Sequence, residues 1–421
     1  MQETELLRRV FDTAVAAVAP ERLIPAALAK IEDQGPAVVL GAGKGAAAMA
    51  AAFRAAWRGS VRGFVVTRYE HGLKPGEDAG AIEIVEAGHP SPDAASVSAG
   101  RKLLQYASNH ASDEQLFFLV SGGGSALAAV PADGIDFAAK RDAANYLMHS
   151  GANIAEINCV RKHLSALKGG RLAVAAHPAR FTTLAISDVP GDDIADIASG
   201  PTIPDPSTQA DAIRILENFG YPKLSALMPV LGNPALETPG AADPAFEDNY
   251  SVVIGSASSA MAAAAKLLRA EGYEVIELGD DIDEDAQVLA REHAALAKET
   301  LRSGKRTAIL SGGETRVTIR NTNGRGGRNL VYLSRLALEL NGAAGVFAVA
   351  ADTDGIDGHG GHAGGFVMPS MLDLGHARGV DLDRSLANDD SYTFFDACEL
   401  LIITGPTRTN VNDFRLILCH P

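Results

Sequence analysis

The chain has 421 residues, 47% hydrophobic and 21% charged, with 37 Lys and Arg against 52 Asp and Glu for a formal net charge of −15. That length exceeds one ordinary core, so two domains are expected, and the composition excludes a disordered chain. The acid excess argues against a nucleic-acid or anionic-membrane surface, so a small anionic ligand has to be met by local cations.

In chain order, the opening MQETELLRRVFDTAVAAVAPERL reads as an amphipathic helix with charges throughout, unlike a signal peptide. A strand at 37–41 runs into GAGKGA (41–46) and then an Ala-rich helix, which makes a βα unit. Further strands are expected at 62–67, 81–87, 116–120 and 181–187, with helices at 93–107, 136–149 and 154–168 between them. This alternation predicts an α/β fold, a doubly wound Rossmann-like, mostly parallel sheet. Residues 207–230 read as helical, and 232–249, rich in Gly, Pro, Ala and acids, as a linker. A second α/β domain follows, with strands at 249–256, 273–278, 306–310, 315–319, 345–350, 399–404 and 412–418 and helices at 257–270 and 284–302. The expected domains are 1–235 and 250–421. The longest apolar runs, such as 254–267, are too interrupted to span a bilayer, and three cysteines without CxxC spacing suit a reducing compartment, so a cytoplasmic location is expected.

One loop type recurs: LFFLVSGGGS (116–125), AILSGGE (308–314), AVVLGAGKG (37–45) and LIITGPT (401–407) each end an apolar run in small, Gly-rich residues. Such loops let backbone N–H groups converge on phosphate or carboxylate, although Gly also serves any tight turn. Cations are interspersed with these segments, at Lys44, Arg316, Arg325, Arg328 and Arg408. GAGKGA formally satisfies the dinucleotide pattern, but it contains a Lys, and the acid expected about 20 residues on is represented only by Glu70. It is not a Walker A loop, because Gly45 stands where a hydroxyl is required. Lys44 at a helix start adds a fixed cation to the helix's partial positive charge. SGGGSAL lacks the final Gly of a nucleophile elbow, so Ser125 reads as an anion donor or a helix cap. Arg161, Ser165 and Lys168 fall on one helix face, whereas His163 reads as structural. Asp188, Asp192, Asp193 and Asp196, and again Asp352, Asp354 and Asp357, follow strands and are hard ligands suited to Mg²⁺ or bases for a hydroxyl proton. Ala363 excludes a calcium hand, and His359 and His362 lack a third soft ligand.

GAGKGAAAM, AGHPSPD (87–93), VSGGGSAL, NCVRKHLSALKGGRLA (158–173), ISDVPGDDIADIASGPTIPD, SGGET, GGRN (326–329), DTDGIDG, NDDSYTFF (388–395) and TGPTRTNVND (404–413) together resemble the class II glycerate kinases. That family pairs a glycerate-kinase amino-terminal domain with a MOFRL carboxyl-terminal domain, and the matches run in order from about residue 5 to 417. The resemblance implies ATP-dependent phosphorylation of D-glycerate at the 2-hydroxyl, with Mg²⁺ as cofactor and the site in an interdomain cleft. It makes Lys44 and Arg328 the catalytic cations. In this reading Ser121, Gly122, Gly123, Gly124, Ser125, Arg161 and Lys168 hold the glycerate. Ser311, Gly312, Gly313, Glu314, Asn329, Thr407, Thr409, Asn410 and Asn412 meet the nucleotide. Asp188, Asp192 or Asp354 holds Mg²⁺, and Asp188 also orients or deprotonates the acceptor hydroxyl. Small molecules are the expected partners, and a homodimer is compatible with the sequence. Three departures stand out: Leu330 and Val331 follow GGRN where Gln-Glu is common, Arg408 replaces a Gly, and HGGHAGG follows DGIDG in place of the usual polar and acidic residues. The family also carries the older label hydroxypyruvate reductase, so an NAD(P)H-dependent reductase is the first alternative and a non-catalytic sugar-phosphate sensor the second.

Overall fold

The apolar runs of the first half pair side by side. In the computed structural model, which describes residues 2–421, β1 (Ala37–Ala42), β2 (Val61–Arg68), β3 (Ala81–Ala87), β4 (Gln115–Val120), β5 (Phe181–Ile186) and β6 (Tyr250–Gly255) form one sheet in the order β3-β2-β1-β4-β5-β6. The strands from β3 to β5 are all parallel. β1 is buried at every residue, with Leu40 in register between Phe64 and Phe118, so its uninterrupted apolar sequence follows from cover on both faces. Small side chains let the helix Ala46–Ala56 pack closely, and its Phe53 joins Trp57 and Phe117 in a ring cluster with centroids about 5 Å apart. A second apolar cluster, around Leu147, Val160 and Leu216, lies under the helices Phe137–His149, Ile154–His163 and Gln209–Asn218.

This unit spans 20–254. The segment expected to be a linker is built into it: Glu237 accepts from Gln209 N–H and from His163, and Asn249 accepts from Phe181 N–H. The helix expected over 154–168 stops at His163, and Ser165 Oγ then accepts from the N–H groups of Leu167 and Lys168. Arg161, Ser165 and Lys168 therefore do not share one helical face.

The other unit comprises 255–421 and the opening segment through Ala19. Its strands are β7 (Glu274–Glu277), β8 (Thr307–Ser311), β9 (Val346–Asp352), β10 (Gly364–Val367), β11 (Leu401–Ile402) and β12 (Asp413–Cys419), in the order β11-β10-β9-β12-β8-β7. Only β7 and β8 are parallel, so the sheet is mixed. β12 fills the gap between β9 and β8 and is buried throughout, so the last strand completes this second sheet. The opening helix Gln2–Ala17 belongs here as well: Phe11 meets Phe414 at 5.9 Å, and Thr409 Oγ1 donates to Val18 O at 2.8 Å. The strand expected at 315–319 shrinks to one bridge between Asp285 and Arg316. Among the described residues no helix is long and apolar enough to cross a membrane.

Candidate active-site residues

In the first unit, three loops leave the carboxyl ends of neighbouring strands. β1 and β4 lie side by side while their sequence neighbours depart in opposite directions, which is the switch point where open α/β sheets hold ligands. The loop after β1 is locked to the loop after β4: Lys44 N–H donates to Gly122 O at 2.9 Å, and Gly45 N–H donates to Ser121 Oγ at 3.0 Å. Thr67 Oγ1 at the end of β2 donates to Lys44 O at 3.1 Å. A Cβ on Gly43 would collide with Ser121, and one on Gly124 would stand 2.8 Å from both Ala198 Cβ and Ala42 O, so these glycines allow the loops to touch. Among the described residues the N–H groups of Gly122 and Gly123 meet no protein acceptor.

The third loop, after β5, carries backbone strain. Ala198 and Ser199 both sit at positive φ, 54° and 59°, and both are buried. Ser199 Oγ bonds Ser125 Oγ at 3.0 Å and donates to Asn158 Oδ1, while Asn158 Nδ2 donates to Asp196. Lys168, 1% exposed, ties the loops together by donating to Ser125 O at 2.9 Å and Ala198 O at 3.4 Å. Burial pushes its pKa down to about 7, and Arg161 adds to that shift. Lys140 is buried nearby on the carbonyls of Val130 and Leu164, and burial likewise drives its pKa far down. Arg161 differs from both. It is half-buried, burial disfavours its charge, and no carboxylate among the described residues pairs with it. The neighbouring cations are committed: Lys162 to Asp205 at 3.5 Å, and Arg171 to the carbonyls of Lys162 and Leu236.

In the second unit the end of β8, the end of β9 and the start of β12 meet at one edge, because Arg415 lies in register with Ser311 and Asp413 with Asp352. Arg328 opens the helix Arg328–Leu340 and reaches into this edge, donating to Asp413 Oδ1 and Asp352 Oδ2 at 2.8 Å each and to Glu314. Burial opposes its charge, but Asp413, Asp352 and Glu314 outweigh that and keep it protonated. Asp413 and Asp352 are buried; the Glu314 side chain is 55% exposed, which makes it the displaceable partner. Behind them Arg415, 1% exposed, donates to Asp413 Oδ2, Ser311 Oγ and Gly312 O, fixing the Gly-rich loop to β12. Asp357 accepts from the N–H groups of Asn329 and Leu330, so the positive end of that helix is already met by a carboxylate.

Several expected nucleotide contacts turn out to have structural partners. Asn329 is fully buried and donates to Asp413, Thr407 Oγ1 donates to Thr353 O, and Thr409 to Val18 O. The Asn412 carbonyl accepts from Thr353, and Asn410 and Arg408 are buried beside it in the sequence, Arg408 at a φ of 62°. Ser125 lies inside the short helix Gly124–Leu127, so it is not the cap; Gly123 is. Asp192 and Asp188 occupy the loop after β5, Asp192 at a φ of 56°. Asp354 is 3% exposed at the end of β9, its Oδ1 accepting from Ile356 N–H. Among the described residues no three acidic, histidine or cysteine side chains gather as a cage. The hard oxygens of Asp188 and Asp354 fit Mg²⁺, which is commonly held by one or two carboxylates plus waters and substrate phosphates. Asn158, Ser199, Asp413 and Arg415 are not among the expected site residues, and Asp352, expected as a hard ligand or base, pairs with Arg328 instead. Of these, only the run IASGPT carried a visible signal, a Gly following residues that must turn sharply.

Comparison with known proteins agrees with this architecture. A family model described as a domain of unknown function, DUF4147, matches residues 6–229, and the MOFRL family model matches 307–413. A protein of Agrobacterium vitis, provisionally named hydroxypyruvate reductase, is 44% identical across 98% of this chain and 94% of its own. A Thermotoga maritima protein named D-glycerate 2-kinase is 35% identical across 97% of this chain and 96% of its own. The crystal structure of glycerate kinase from Thermotoga maritima superposes with a TM-score of 0.87 over 99% of both chains at 35% identity. With both halves matched in order and the fold shared over its full length, the chain belongs to the class II glycerate kinase family.

Proposed function

We propose that the protein transfers the γ-phosphoryl group of ATP to the 2-hydroxyl of D-glycerate. Arg161 carries this reading: a half-buried guanidinium without a carboxylate among the described residues, in a protein of net charge −15. A guanidinium whose charge burial disfavours is stabilised by an incoming carboxylate, and its fork suits that anion. The Gly122 and Gly123 N–H groups add donors, and Lys168 holds their loop in place through Ser125 O. Lys44 sits against Gly123, its Cγ 3.4 Å from where a Cβ on that residue would stand, and is the cation for the transferred group.

Phosphoryl transfer asks the protein for alignment and charge neutralisation more than for covalent chemistry. Arg328 meets the ATP phosphates: Asp413 and Asp352 fix its plane, and a phosphate displaces the exposed Glu314. Asp188 receives the hydroxyl proton. Asp354 or Asp188 would hold Mg²⁺, which would supply charge neutralisation for the phosphates. The family names support a kinase, and those of some relatives support the 2-position.

The reductase reading draws on the name of the Agrobacterium relative and on the strand order, which is that of dinucleotide folds. Two observations weigh against it. The Lys44 and Gly45 N–H groups that a pyrophosphate would use are taken by Gly122 and Ser121, and β2 ends in Thr67 and Arg68 where an acid would hold the ribose. Arg161→Ala tests the proposal. The KM for D-glycerate should rise about 10- to 100-fold, the size of a lost charged hydrogen bond, with a smaller change in kcat. An unchanged KM would remove Arg161 from the substrate site.

A further inference from the structure

The second unit contains a cavity of about 460 Å³ that the reading above does not use. It runs along the first two turns of the helix Arg328–Leu340, where Gly327, Val331 and Arg335 line it at four-residue spacing, on the turn from which Arg328 reaches its carboxylates. Residues of the segment 317–326 supply another part of its lining. That segment is held in place: Asp389 accepts from the N–H groups of Arg320 and Asn321, and Asp390 from that of Arg325. The cavity is therefore preformed.

Its lining combines two chemistries. Val331, Leu386 and Ala387 supply apolar wall, and Ile319, 66% exposed, leaves an uncovered aliphatic group at the lip. Arg320 and Arg325 bring guanidinium groups that pair with no carboxylate among the described residues, although the protein is strongly acidic. Of the acids in the lining, Asp285 and Asp389 are committed to backbone N–H groups, and Asp383 lies exposed at the rim. Arg325 lies over the Tyr392 ring, its Cζ 4.3 Å from the centroid. A planar guanidinium anchored in this way can stack on a heteroaromatic ring. The volume falls in the range of small-ligand pockets, and the pairing of apolar wall, planar cation and unpaired charge fits a nucleoside phosphate better than a bare anion.

We infer that this cavity holds the base and ribose of the phosphoryl donor, an adenine nucleotide, with its phosphates leading along the helix start toward Arg328. The inference rests on the kinase reading for the identity of the base. It differs from the sequence expectation, which placed the nucleotide on 311–314, 329 and 407–412.

Calorimetric titration with the non-hydrolysable analogue AMP-PNP, with adenosine and with tripolyphosphate, each with Mg²⁺, tests it independently of turnover. Ala387→Trp fills the cavity from an exposed rim position, where the fold is not at risk, and Arg325→Ala removes the planar platform. The filled variant should bind AMP-PNP and adenosine at least about tenfold more weakly and tripolyphosphate as before; Arg325→Ala should lose about 3- to 30-fold, the range of a cation–π contact. Wild-type affinity for AMP-PNP in both variants, or no binding of AMP-PNP to the wild-type protein, would overturn the inference. Nucleotide binding that the variants weaken, without phosphoryl transfer to glycerate, would refute the kinase reading and leave the cavity's assignment standing. Transfer at wild-type nucleotide affinity in both variants would do the reverse.

Discussion

Individual side chains divide into those the fold has already used and those left for a ligand. Lys140, Lys162, Lys168 and Arg171 all donate to or pair with protein groups, whereas among the described residues Arg161 meets no carboxylate, although all five lie in or near one basic stretch. The motif NCVRKHLSALKGGRLA identified the stretch but could not rank its members, because which cation stays unpaired depends on where the chain folds back. Lys44 was more legible, since a lysine in a Gly-rich turn before a helix has few structural reasons to be there. Lys44→Ala should lower kcat by on the order of 10²-fold or more, the cost of losing a cation that acts on the transition state, with an unchanged circular dichroism spectrum. Near-wild-type turnover would refute its role.

Among elements, the loops matter more than the strands that carry them. The Gly-rich turns after β1, β4 and β8 could be read from composition, and so could the parallel character of the first sheet. The carboxylate-bound Arg328 could not, because Arg415 reaches Ser311, 104 residues away in sequence, and Asp413 reaches Asp352 only through the antiparallel register of β12. The strand expected at 315–319 failed for a related reason: alternation can be read locally, but a strand exists only where a neighbour pairs with it. Lys168 joins two of the loops, and its depressed pKa makes their stability depend on pH. From its ordinary value of 10.5 down to about 7, the unfolded chain holds a proton that the folded chain lacks. Stability therefore rises with pH across that window, by up to about 1.4 kcal/mol per pH unit for one proton. Denaturation midpoints of wild type and Lys168→Met between pH 7 and 9 check this. The variant should lose that slope, and parallel profiles would contradict the assignment.

For the whole molecule, the division at 19/20 and 254/255 shows what sequence order conceals. The opening helix packs with the carboxyl-terminal sheet through Phe11 and Phe414, and the apparent linker at 232–249 is part of the first unit. Composition marks 232–249 as irregular, and irregular is not the same as unpacked: its Glu237 and Asn249 satisfy groups that would otherwise be buried without partners. The most direct measurement supplies purified protein with D-glycerate, ATP and Mg²⁺ and follows ADP release, with NADH and hydroxypyruvate in a parallel cuvette. The account predicts ADP in step with 2-phosphoglycerate, identified by phosphorus NMR, and no NADH oxidation; NADH oxidation without ADP release would contradict it.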